Sequence, residues 1–113
     1  MGCTDGKPRK RHVADTSEWE ELRKAKLHRY RCRICGGRAG TLHHLVPRSL
    51  GGDDCVDNLV ALCGSGTTGC HGLIEHRDPL ALGRLRRALR PDELRYMSER
   101  KGDYFVDRYY PDA

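Results

Sequence analysis

Thr41-Leu42-His43-His44-Leu45-Val46-Pro47-Arg48-Ser49-Leu50-Gly51-Gly52 is the stretch that decides the fold. Thr41 to Val46 is apolar around two adjacent histidines and stops at a proline, which suits a short strand. Consecutive side chains on a strand point to opposite faces. His43 and His44 therefore meet different surroundings, or strand twist turns both toward one cleft. Gly51-Gly52-Asp53-Asp54 reads as a loop. Asn58 to Leu62 reads as a short helical turn, with Asp57 and Asn58 natural helix caps.

Cysteines flank this stretch on both sides. Cys32 and Cys35 precede it as C-x-x-C, followed by Gly36-Gly37. Cys63 and Cys70 follow it, with six residues between them. Zinc takes four tetrahedral ligands, and two close pairs on tight loops supply them. A site filled by four thiolates leaves no position for water, so it staples a fold and does not catalyse. Redox chemistry or disulfides are the alternatives. A redox pair usually opens a helix after a strand, and Gly36-Gly37 argues against a helix here. The expected ligands of a structural Zn²⁺ are Cys32, Cys35, Cys63 and Cys70, with Cys3 and Cys55 ordinary free thiols. His71 follows Cys70 directly, so a metal-bound Cys70 would pin it at the start of a helix.

The 113 residues suit one domain. With 37% hydrophobic and 33% charged residues, the core is lean and a metal staple is useful. No apolar run follows the N-terminus and no stretch approaches a membrane span. That predicts a reducing cytoplasmic setting without membrane contact, where cysteine clusters favour metal. A net charge of +5 and a pI of about 9.0 favour nucleic acid as partner.

Residues 1–14 read as a basic arm, with Lys7, Arg9, Lys10 and Arg11 either gripping phosphates or simply solvated. Residues 15–113 form the remaining domain. Ser17 to Tyr30 reads as a helix with a Ser17–Glu20 capping box and Trp19, Leu22, Leu27 and Tyr30 on its apolar face. Residues 70–77 begin another helix. Pro79 to Leu89 is a basic helix whose Arg84, Arg86, Arg87 and Arg90 either flank duplex or form a solvated face. Pro91 opens a further helix. Residues 102–113 suggest no element.

Three blocks now combine: Leu42 to Gly52, Asp57-Asn58-Leu59-Val60-Ala61-Leu62-Cys63, and Gly69-Cys70-His71-Gly72. Together with the cysteines they resemble the HNH endonuclease motif over residues 32–76. The resemblance implies an α+β fold, a small zinc-stapled ββα-metal (HNH, or His-Me finger) core with flanking helices at 79–101. Similar short, free-standing members are frequent in bacteriophages, some beside DNA-packaging genes. That implies a bacterial host cytoplasm and phage terminase subunits as partners.

By this resemblance His43 and His71 hold a catalytic metal, and His44 is the general base. Asn58 orients that base by hydrogen bonds within the hairpin loop. His76, or Glu75 one helical turn after His71, adds a further ligand. The implied activity is metal-dependent hydrolysis of DNA phosphodiester bonds, by nicking or double-strand cleavage, with one divalent ion (Mn²⁺, Mg²⁺, Ni²⁺, Co²⁺ or Zn²⁺). Arg48, Arg84, Arg86 and Arg87 are candidate DNA contacts. The competing reading is a non-catalytic zinc-stabilised DNA-binding module, which leaves the order of His43, His44, Asn58 and His71 to coincidence.

Overall fold

The computed structural model describes residues 13–112. Helix α1 (Thr16–Arg29) starts after Asp15, whose carboxylate accepts the Glu18 N–H at 2.8 Å. Asp15, and not Ser17, is the N-cap; a carboxylate caps at least as well as a hydroxyl and also favours the positive helix end. Trp19, Leu22, Leu27 and Tyr30 pack on Leu42, Leu59 and Ala61, as the ragged apolar face predicts.

Strand β1 (Thr41–His44) pairs antiparallel with β2 (Leu59–Leu62), in the register Thr41↔Leu62 and His44↔Leu59. The helical turn expected at Asn58 to Leu62 is thus corrected. A 3₁₀ turn covers Val56–Asn58 and the apolar residues after it are a strand. A short apolar run does not announce its period. Here tertiary pairing decides it, because β2 is covered on both faces. Leu59 and Ala61 face α1, while Val60 and Leu62 enter the main core.

Helix α2 (Gly69–Glu75) completes a ββα unit, so the architecture is the mixed α and β arrangement expected. Helices α3 (Pro79–Ala88) and α4 (Pro91–Lys101) follow, each with proline in its first turn. The C-terminal residues left unassigned by sequence form α5 (Asp103–Tyr109), which packs on α4 and sends Phe105 and Val106 into the core, joined by Tyr110 just after it.

Polar ties fix these helices to the hairpin. Arg33 in the cysteine knuckle bonds both carboxylate oxygens of buried Glu93 on α4, at 2.6 and 2.9 Å. Tyr96 on α4 donates its hydroxyl to Asp53 and accepts the Asp53 N–H, anchoring the loop between the strands. Among the described residues no helix is long and apolar enough to cross a membrane.

Candidate active site

The two cysteine pairs come together. The Sγ atoms of Cys32, Cys35, Cys63 and Cys70 all lie within 4.8 Å of one another, with Cys35 and Cys63 3.7 Å apart. A tetrahedron of sulfurs about 2.3 Å from a central zinc has edges of about 3.8 Å. The donor set and its spacing therefore fit a structural zinc. Burial raises the Cys32 thiol pKa, but N–H donors around it outweigh this and bring it down to about 7. The long spacer between Cys63 and Cys70 is absorbed locally, where Ser65 and Thr68 bridge into a tight turn. Gly64 is required there: its φ is +82° and a Cβ would fall 2.1 Å from Thr68 O. Buried Cys55 is disulfide-bonded, which corrects its reading as a free thiol, since an isolated cysteine carries no pairing signal in sequence. Cys3 lies outside the described residues.

The Cys63 carbonyl accepts the His71 N–H at 3.1 Å, which seats His71 on the first turn of α2. His43 projects from β1 toward the same place, and the two rings lie 5.3 Å apart. Glu75 stands four residues after His71, one turn along the same helix face. Its Oε1 is 3.3 Å from His43 Nδ1 and 3.2 Å from His71 Nε2. One donor atom from each of the three residues lies within 4.8 Å of the others. Hydrogen bonding to His43 leads the effects that hold the Glu75 carboxyl down at about 2, so it is ionised. Two imidazoles and a carboxylate fit a divalent transition-metal ion with positions to spare. His76 is not part of this group; it is exposed and lines a separate groove with Thr67, Cys70 and Leu73.

His44 leaves β1 on the other face, where its ring stacks on Trp19 at 5.6 Å. Its Nε2 is 2.8 Å from Asp54 Oδ1, and Arg48 Nε reaches the same oxygen at 3.0 Å. Burial lowers the His44 pKa, only partly opposed by Asp54, so the neutral ring is favoured. Burial raises the Asp54 pKa, but hydrogen bonds from His44 and Arg48 outweigh it, so the carboxylate stays ionised.

Asn58 is fully buried, accepting the Val46 N–H and donating to Val46 O and Asp53 O. It closes the loop that carries Asp54, and none of these bonds goes to the His44 ring. His43, His44, His71, Glu75, Arg48 and Arg77 all line one cleft of about 320 Å³.

The basic residues divide. Arg48 is half-exposed at the cleft, its guanidinium 4.7 Å over the Trp19 ring. Arg84 is exposed on α3. Arg86 instead bonds Asp107 and the Tyr110 carbonyl, Arg87 pairs with Asp112, and Arg90 with Glu93. Those arginines hold the C-terminal segment and α4. Lys7, Arg9, Lys10 and Arg11 lie outside the described residues. The sequence reading missed Asp54, Arg77 and Tyr110. Asp54 was hidden in a run that loop composition already explained, and Arg77 in a helix ending. The signal at Arg77 is its backbone φ of +60°, rare for a side-chain-bearing residue and visible only in three dimensions.

The HNH endonuclease family model matches residues 32–77, which span both cysteine pairs, the hairpin and α2. No curated protein and no solved structure gives a significant match to the chain.

Proposed function

We propose, from the match of residues 32–77 to the HNH endonuclease family model, that this chain hydrolyses DNA phosphodiester bonds. One divalent ion would sit at His43, His71 and Glu75, and His44 would act as the general base. The observation that carries this reading is one cleft holding a three-donor metal set beside a separately partnered imidazole.

Nε2 of His44 donates its hydrogen to Asp54, which leaves the lone pair on Nδ1 to take a proton from water. The ionised Asp54 carboxylate steadies the imidazolium that results. The deprotonated water attacks phosphorus in line, and the expected ends are 5′-phosphate and 3′-hydroxyl. Arg48 and Arg77 place guanidinium groups at the cleft for the phosphate oxygens. When bound, the catalytic ion supplies Lewis-acid polarisation of the phosphate and countercharge for the leaving 3′ oxygen. Imidazole donors favour Mn²⁺, Co²⁺, Ni²⁺ or Zn²⁺, while the carboxylate also admits Mg²⁺. The four-cysteine zinc holds Cys70 and thereby His71.

The test is nicking of supercoiled plasmid with Mn²⁺ or Mg²⁺ by the wild type and by His44→Ala, matched for zinc content and fold. Metal-dependent cutting that disappears in the variant supports the reading. Cutting that survives removes His44 from the role. A wild type that binds DNA and cuts with no ion favours the zinc-stabilised binding module.

A further inference from the structure

The C-terminal segment reaches the candidate metal site through one hydroxyl. Tyr110 Oη lies 2.6 Å from Leu45 O and 2.9 Å from His43 Nε2. All these groups are buried, with Tyr110 1% and His43 7% exposed, so water does not compete for the bonds. A tyrosine hydroxyl has one hydrogen to donate, and a carbonyl oxygen only accepts. The hydrogen is therefore committed to Leu45 O, and Nε2 of His43 must donate to the tyrosine oxygen. A neutral imidazole carries one N–H. Nδ1 is then the nitrogen left to bind the ion, and it faces Glu75 Oε1 at 3.3 Å.

We infer that Tyr110 is a positioning residue for the metal centre: its hydroxyl fixes the tautomer and orientation of His43 so that Nδ1 is presented to the ion. The inference rests on the metal reading of His43, His71 and Glu75 given above. Ligating histidines commonly have the second ring nitrogen tied in this way. His71 shows the same division, with Nδ1 2.8 Å from Thr41 Oγ1 and Nε2 facing Glu75. Tyr110 is itself held in place, because Arg86 bonds its carbonyl at 2.7 Å and Arg77 bonds the Tyr109 carbonyl at 2.6 Å. Arg86 on α3 and Arg77 at the edge of the cleft thus maintain the chain end that sets a ligand on β1, 67 residues away in sequence.

The test uses the full, zinc-loaded chain and Tyr110→Phe, which keeps the ring and its packing. Ring-nitrogen chemical shifts of His43 are read in the neutral state with diamagnetic Zn²⁺ added to fill the site. The wild type should show the Nε2–H tautomer, and the variant should lose that preference. A wild-type His43 protonated at Nδ1 overturns the inference. Mn²⁺ affinity is measured in parallel by titration calorimetry. Tyr110→Phe should weaken it roughly 10- to 100-fold. Tyr96→Phe removes another buried hydroxyl, one bonded to Asp53, and should keep the wild-type affinity. Equal weakening in both variants would mean general loosening and would overturn the inference. If the wild type binds Mn²⁺ and Tyr110→Phe binds it equally well, this inference alone fails. If the wild type binds no Mn²⁺, the metal reading fails and takes this inference with it.

Discussion

Asp54 Oδ1 holds two side chains at once, His44 Nε2 at 2.8 Å and Arg48 Nε at 3.0 Å, from a carboxyl that is 2% exposed. That shared oxygen gives a sharp expectation for Asp54→Asn, which keeps the size and removes the charge. A general base contributes about 10²–10⁴-fold, and losing its orienting carboxylate should cost a part of that, roughly 10- to 100-fold in kcat. Plasmid-nicking kinetics check it. A rise in KM with kcat unchanged would show that Asp54 acts through Arg48 and substrate binding instead.

The cysteine cluster makes an equally direct prediction. Small zinc domains gain about 10–16 kcal/mol from the metal, which rivals the whole stability of about 5–15 kcal/mol typical of folded domains. If the cluster holds zinc, Cys35→Ser should therefore abolish its binding and unfold the hairpin end of the molecule, and a strong chelator should do the same to the wild type under reducing conditions. Zinc analysis with circular dichroism reads both. A reduced, zinc-free chain that keeps its fold would remove the staple.

Sequence carried the parts of this structure that depend on short spacing. The C-x-x-C knuckle, the His43-His44 pair and His71 beside Cys70 are local patterns, and the fold brings together the residues they single out. What escaped depends on distant packing. Strand β2 looks helical until β1 pairs with it, and α5 has no periodic run long enough to announce itself. Asp54 and Tyr110 acquire meaning only through partners 10 and 67 residues away, His44 and His43 respectively. Arg86 and Arg87 look like a DNA-facing stripe because sequence shows their charge and not the acidic residues that α5 and the segment after it bring to them.

Gly52 tests the loop between the strands. A Cβ there would sit 1.7 Å from the Val46 carbonyl oxygen and 2.9 Å from Asn58 Nδ2. Backbone and a fully buried amide cannot both retreat, so Gly52→Ala should force the loop open. Overpacking of this kind costs about 1–3 kcal/mol. Because Asn58 also bonds Asp53, next to Asp54, the variant should lose nicking activity more steeply than stability. Urea unfolding and nicking rates, measured side by side, compare the two. Full activity at reduced stability would show that Asp54 holds its place without Asn58.

Lys26 on α1 supplies a pH signature away from the site. It is 5% exposed and its Nζ donates to Val56 O at 3.1 Å and Leu59 O at 2.9 Å, joining α1 to the start of β2. Burial lowers its pKa from 10.5 to about 8, with the charge of Glu93 opposing part of the fall. Between those values the unfolded chain binds the proton and the folded chain does not, so stability contributed by this residue rises with pH across that window. Lys26→Met has no such titration. The stability of the wild type minus that of Lys26→Met should therefore rise from about pH 8 to about pH 10, by at most about 1.4 kcal/mol per pH unit. Urea denaturation of the zinc-loaded proteins at both values measures it. A difference that stays constant would mean the two carbonyls keep Lys26 charged against the burial.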